Sequence, residues 1–184
     1  MRKILFGLAI GVLSTAAYAA DAPGPGMGKV FDGAIKGAEG EVVSLAEAMP
    51  ADKYDFAPTG GEFKGVRTFA QQMTHIAAVT YGVSAVALGE KNPSEMGTDE
   101  NGPATIKGKD AIVQYLKDAF AYAHKAASNL TTANSLDALP SPFGGKTTRI
   151  SMVSLIVFHT FDHYGQSVVY ARMNGIVPPA SRPR

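Results

Sequence analysis

His159 and His163 lie four residues apart in one uninterrupted helical run, Ser151 to Asn174, that is rich in apolar residues. On an α-helix such positions are offset by about 40° around the axis and about 6 Å along it, so two imidazoles can reach one metal ion. Two imidazoles buried among apolar side chains destabilise a fold unless both are satisfied, and metal coordination satisfies both. The pair therefore predicts a helix that packs against other helices of the fold and supplies two ligands of a metal site.

A third ligand must come from another segment, and the chain contains two further histidines. His75 lies in a second apolar helical run, between Met73 and Ile76, where an unpaired polar ring would be equally unfavourable. His124 lies off the apolar stripe of its helix, beside Lys125, which indicates a position at the rim. By elimination, His75 is the best third ligand. Three protein ligands leave at least one coordination position for water or substrate.

Three imidazoles accept most late first-row ions, so we expect one divalent transition metal, with zinc favoured over nickel, iron, manganese or copper. Thr160 follows His159, so the glutamate base of the HExxH protease motif is missing. Gln166 and Tyr170 continue the same helix face and are candidates to line the pocket, the alternative being ordinary core polarity. Asp162 is displaced from that face, where a solvated or helix-pairing role is expected. No catalytic residue is assigned.

Periodic apolar residues predict an all-α fold, a four-helix bundle, and no strand pattern competes with them. Loops rich in glycine and proline separate the helical runs. The predicted helices span about Val30 to Ala46, Val66 to Leu88, Lys109 to Leu130 and Ser151 to Asn174.

The amino-terminal residues 1–19 have the three parts of a secretory signal peptide. Arg2 and Lys3 form a basic start, residues 4–13 are apolar, and a small-x-small motif ends at Ala19. We expect cleavage there, export to the periplasm or the medium, a flexible leader over 20–28, and the bundle over 29–180. The alternative is an uncleaved anchor. No later segment competes as a membrane span, so no stable membrane insertion is expected after cleavage.

Composition excludes several classes of protein. The chain has no cysteine, which excludes disulfides, thiolate ligands, a cysteine nucleophile and covalent c-type haem attachment. The formal charge is +1 at pH 7 before the two basic residues of the signal peptide are removed. Nothing in this balance predicts a nucleic-acid surface.

The last predicted helix has a second apolar side. At 100° per residue, the histidine pair groups with Met152 and Gln166, while Val157 and Phe161 fall roughly opposite. Either the helix is central and buried all round, or its second side forms a homodimer interface.

Two segments resemble the DinB/YfiT-like metalloprotein superfamily. Similarity extends over about Val30 to Pro179 and includes an aromatic-x-Pro loop before the first histidine helix. The residues that carry it are Phe56-Ala57-Pro58, Arg67 to Ala77, and His159 to Gln166 continuing through Tyr170, Arg172, Gly175 and Pro178-Pro179.

The resemblance implies a bundle that binds one divalent metal through His75, His159 and His163, frequently as a homodimer. Relatives include thiol-dependent enzymes such as bacillithiol S-transferases and mycothiol-dependent maleylpyruvate isomerase. Our first hypothesis is an exported metal-dependent transferase or hydrolase-like enzyme with a small-molecule or thiol substrate. The alternative is a non-catalytic module whose metal is structural, or which binds a small ligand.

Overall fold

The computed structural model describes residues 25–183, most of which form four long helices. The predicted signal peptide and residues 20–24 of the leader lie outside the described residues. Within 25–183, no helix combines the length and the hydrophobicity that crossing a membrane requires. The helices are α1 (Met27–Ala48), α2 (Phe69–Leu88), α3 (Lys109–Ser128) and α4 (Arg149–Met173).

The four helices pack as a bundle, which confirms the predicted all-α fold. α2 packs chiefly on α3 and α4, and α1 packs on the same two helices from the other side. Large apolar side chains from all four helices are fully buried between them, as the burial of Leu45, Met73, Phe120 and Ile156 illustrates. The core therefore brings α2 and α4, the two helices that carry the predicted ligands, into direct contact.

The start of α2 is set by side chains rather than by hydrophobicity. Thr68 Oγ1 accepts a hydrogen bond from the Gln71 amide at 3.2 Å, and Gln71 Oε1 accepts one from the Thr68 amide at 2.8 Å. This capping box satisfies two donors at the helix end. The helix consequently begins at Phe69, three residues after the predicted start at Val66.

A short β-hairpin, which the sequence did not predict, joins α3 to α4. Its strands are β1 (Ala138–Pro140) and β2 (Lys146–Thr148), and they pair antiparallel. Three residues per strand are too few for an alternating pattern to stand out from a loop, so the expectation of no strand was wrong here.

The outer side of α4 is exposed in this chain. Phe158 and Phe161 are 61% and 40% exposed, so the helix is not buried all round. Its buried stripe includes Thr160 and Ser167, whose hydroxyls donate to carbonyls one turn earlier, those of Ile156 and His163. Those local bonds satisfy the two buried hydroxyls without any partner from another helix.

Gly28 lets the first turn of α1 approach the end of α3. A Cβ at this position would lie 2.7 Å from the Ala127 carbonyl oxygen and 2.9 Å from that of Leu130. Because α1 begins at Met27, the helix includes the last two residues of the predicted flexible leader. Only a residue without a side chain permits this contact.

We expect Gly28→Ala to lower the free energy of unfolding by about 1–3 kcal/mol, because the added methyl group would overlap backbone that cannot move aside easily. Gly33 is the matched control, since it lies in the same helix with nothing within 4 Å of a Cβ. Gly33→Ala should instead stabilise by about 0.5–1 kcal/mol through helix propensity. Urea unfolding measures both, and equal effects would contradict the close approach.

His124, predicted to lie at the rim, connects α3 to α1. Its Nδ1 lies 2.6 Å from Asp32 Oδ1 and its Nε2 lies 3.1 Å from Glu39 Oε2. Both ring nitrogens donate only when the imidazole is protonated. Partial burial opposes that charge, but the hydrogen bonds and attraction of the two carboxylates outweigh it and raise the pKa of His124.

This raised pKa predicts a pH-dependent stability. Protonated His124 stabilises the fold below the unfolded imidazole pKa of about 6.5, and the contribution is lost as pH rises through the folded value. Relative to His124→Gln, wild type should gain about 0.5–1 kcal/mol more at pH 5.5 than at pH 8.5, a range set by partly exposed ion pairs. Urea unfolding of both proteins checks it. Other titrating groups cancel in this difference, so an equal gap at the two pH values would disprove the role.

Candidate metal centre

His75 from α2 meets His159 and His163 from α4 in a compact triangle. The ring centroids lie 4.9 Å apart for His75 and His159, and 4.5 Å apart for each of the other two pairs. One nitrogen from each ring lies within 4.8 Å of the others, a group able to hold a metal ion. The structure thus brings together the three predicted ligands.

Hydrogen bonds determine which nitrogen of two rings is available. His75 Nδ1 lies 2.9 Å from the Glu100 carbonyl oxygen, and His163 Nδ1 lies 2.7 Å from Gln72 Oε1. Carbonyl oxygens only accept, so each Nδ1 carries the proton and each Nε2 keeps its lone pair. Gln72 is itself oriented, because its Nε2 donates to Gln166 Oε1 at 3.1 Å. Such outer bonds are characteristic of metal-binding histidines.

The three rings are held in their neutral form. Burial, reinforced by His163, His75 and Arg67, lowers the pKa of His159 to about 3. Burial is also the main cause that lowers the pKa of His163, to about 4, and it lowers the pKa of His75 below its ordinary value. Neutral imidazoles expose the lone pairs that a metal requires, so no proton has to be released when it binds near neutral pH.

The spacing of the donor atoms fits a metal ion. His75 Nε2 and His159 Nε2 are 3.1 Å apart, and without a metal a neutral His159 protonated at Nε2 donates a hydrogen bond to His75 Nε2. In a tetrahedral zinc site with bonds of about 2.0–2.1 Å, neighbouring nitrogens lie about 3.3 Å apart. That hydrogen bond joins two of the rings, whereas one metal ion would accept lone pairs from all three. The donor set therefore suits a late first-row divalent ion.

A strained turn supplies the carbonyl that holds His75. Asp99 and Glu100 have positive φ angles of 52° and 59°, a region that costs residues other than glycine about 1–3 kcal/mol each. The Glu100 carbonyl binds His75, and the preceding carbonyl, of Asp99, accepts from Arg67 Nη2 at 2.6 Å. Gly97 makes this turn possible, since a Cβ there would lie 1.9 Å from the Gly102 carbonyl oxygen.

The other predicted site residues take different positions. Gln166 lines a polar cavity beside the centre. Tyr170 is buried, where its hydroxyl donates to the Arg67 carbonyl at 3.2 Å and its ring packs edge-on against Phe56. The side chain of Asp162 is 70% exposed and reaches only 4.0 Å from His163 Nε2.

Sequence reasoning missed Gln72, Arg67 and the Asp99–Glu100 turn. A signal for Gln72 existed, because it lies three residues before His75 as a polar residue in an almost entirely apolar helix. Glycines at 97 and 102 were visible as loop markers. Every residue type has a main-chain carbonyl, so the sequence cannot show that those of Asp99 and Glu100 hold Arg67 and His75.

The chain matches known proteins in fold and family. The family model of the DinB superfamily matches residues 34–167. A DinB-like protein from Bacillus cereus ATCC 10987 shares 16% identity at a TM-score of 0.66, over 82% of this chain and 95% of that one. A candidate DinB family member from Exiguobacterium sibiricum 255-15 shares 14% identity at a TM-score of 0.59, over 81% and 92%.

At these identities the two solved structures show a shared fold and nothing finer. No curated protein matches the chain. The matched family segment covers most of the chain and includes all three converging histidines. The protein belongs to the DinB superfamily.

Proposed function

We propose that this protein is an exported metalloenzyme in which His75, His159 and His163 hold one divalent transition metal, with zinc the first choice. The convergence of three neutral imidazoles, two of them oriented through Nδ1, carries the proposal. A transferase- or hydrolase-like reaction on a small molecule, or on a thiol, suits such a centre. Export rests on the signal-like residues at 1–19.

A metal bound there would supply Lewis acidity, which favours the deprotonated and nucleophilic form of a coordinated water or thiol. The chain's own residues hold and orient the ligands. Gln72 fixes the ring of His163, and the Glu100 carbonyl fixes that of His75. His159, which is only half-buried, lies on the more accessible side of the triangle.

The burial of two rings favours a second candidate, a non-catalytic module with a structural metal. His75 and His163 are only 4% and 8% exposed, as expected of ligands in a closed site. The polar cavity that Gln72 lines supports the enzyme instead, because a small molecule bound there would contact the side chain that orients His163. The two candidates differ in whether an exogenous ligand reaches the metal.

Purified protein is expected to carry about one metal ion per chain. His75→Ala with His159→Ala should abolish stoichiometric binding, because one remaining imidazole cannot hold the ion. Gln72→Ala should weaken binding by about 10–100-fold, since His163 loses its orienting partner. Metal analysis by atomic spectroscopy, together with competition against a chelator, measures both effects. His124→Ala is the control, because that histidine lies on the α1–α3 contact, and full binding by the double variant would refute the site.

We also propose a homodimer through the outer side of α4. Phe158, Phe161, Val169 and Met173 recur at helical spacing there and are 40–61% exposed. Gly165 lies within the same stripe with nothing within 4 Å of a Cβ, which leaves room for a second helix to approach. An apolar stripe of this kind is more typical of an interface than of a solvated surface.

The dimer predicts a solution mass twice that of the chain. Phe161→Glu should yield monomers, because a carboxylate at the centre of the stripe would be buried without a partner. Val30→Glu on α1 is the matched control, since Val30 is 53% exposed and does not belong to the apolar stripe of α4. Sedimentation at micromolar concentration, with circular dichroism to verify folding, measures the outcome. A monomeric wild type would rule the dimer out.

A further inference from the structure

A polar cavity of about 320 Å³ lies beside the histidine triangle. Gln72 lines it and also accepts the hydrogen bond of His163, so cavity and metal centre share this side chain. Asp99 and Asn101, which precede and follow the residue whose carbonyl holds His75, also line it. A molecule in this cavity would therefore contact the side chain that orients His163.

Among the described residues that line the cavity, Arg67 is the only cation and Asp99 the only acid. Its Nε donates to Asn101 Oδ1 at 2.8 Å, and its Nη2 donates to the Asp99 carbonyl at 2.6 Å. A guanidinium has five N–H donors, so these bonds leave both hydrogens of Nη1 and one of Nη2 at the far edge. Within residues 25–183, no carboxylate oxygen lies within 4.0 Å of this guanidinium.

The positive charge of Arg67 disfavours a second positive charge, such as the proposed metal ion, at the nearby histidines. Burial is the main cause that lowers the pKa of His75, His159 and His163, and the positive charge of Arg67 lowers it further. Neutral imidazoles contribute no negative charge, so a divalent ion would add to this positive potential. An arrangement of two neighbouring cationic groups becomes favourable when an anion lies between or beside them.

The position of Arg67 is maintained at a cost. The Asp99 carbonyl that fixes the guanidinium belongs to the turn with two positive φ angles, and Asn101 follows that turn directly. The hydroxyl of Tyr170 donates a hydrogen bond to the main-chain carbonyl of Arg67 at 3.2 Å. Strain of this kind persists where the surrounding structure enforces it, and it concentrates at functional sites.

We infer that this cavity binds the carboxylate group of a small-molecule substrate, with the free edge of Arg67 as its recognition element. The inference rests on the proposed metal centre. Two carboxylate oxygens match the fork of a guanidinium edge. The Asp99 carboxylate also lines the cavity, and it disfavours a phosphate dianion more than a singly charged carboxylate. The remainder of the substrate would then extend past Gln72 toward the metal.

Cobalt-loaded protein offers a direct test, because visible absorption reports changes around the metal. Acetate is the probe, and acetamide is its neutral counterpart of the same shape. We expect acetate to bind and acetamide to have no effect at the same concentration. Arg67→Gln should weaken acetate binding about tenfold or more, the loss expected for a charge-assisted pair, with metal stoichiometry unchanged.

Two control variants separate charge from structure. Lys64→Gln removes the same formal charge from a nearby exposed side chain that does not line the cavity, and acetate affinity should equal that of wild type. Asn101→Ala removes one hydrogen bond of Arg67 but keeps the guanidinium, so it should weaken acetate binding less than Arg67→Gln does.

Each contrary result has its own meaning. Failure to bind cobalt would overturn the metal centre itself. Normal cobalt binding with equal acetate affinity in Arg67→Gln, or an equal response to acetamide, would overturn the carboxylate subsite alone. A loss in Asn101→Ala as large as that in Arg67→Gln would overturn the free edge of Arg67 as the recognition element, because Asn101 lines the same cavity and its removal leaves that edge in place. Tighter binding of inorganic phosphate than of acetate would replace the carboxylate by a phosphate group.

Discussion

The contact between α2 and α4 is the interaction on which the site and its surroundings depend. It places one nitrogen from each of three imidazoles within 4.8 Å of the others, with His75 and His163 buried and His159 half-buried. Rings buried there remain stable only when their nitrogens are satisfied. Gln72 and the Glu100 carbonyl satisfy the outer nitrogens of His163 and His75, which leaves the inner nitrogens for a metal. Helix packing and the proposed chemistry thus share one set of contacts.

Electrostatics organises the shell around this contact. Burial keeps the imidazoles neutral, and Arg67 adds a positive field without a carboxylate partner among the described residues. The strained Asp99–Glu100 turn connects the two features, since successive carbonyls hold Arg67 and His75. His124 shows the opposite case. The carboxylates of Asp32 and Glu39 contact both of its nitrogens and raise its pKa, which favours the protonated ring. The same contacts join α1 to α3.

Much of the fold was predictable because its signals are local. Apolar periodicity located all four helices, and the boundary errors arose where side chains decide the end, as the Thr68–Gln71 capping box does for α2. The hairpin between α3 and α4 has strands too short for a pattern to emerge. Gln166 could be predicted because it continues the helix face of His159 and His163. Arg67 could not, because its bonds to Asp99 and Asn101 join segments that helical spacing does not relate.

The sequence by itself determined the helices, the DinB-superfamily resemblance and the identity of the three histidines as candidate ligands. The helices follow from apolar periodicity and the histidine pair from residue type and spacing, both of which are local properties of the chain. The resemblance rests on its matching motifs. Only the tertiary structure decided that the histidines converge, which ring nitrogens remain free, and that the Arg67 guanidinium borders the centre. Those features depend on contacts between segments far apart in the chain, including Gln72 with His163 and Arg67 with Asn101. Such contacts exist only after the helices have packed.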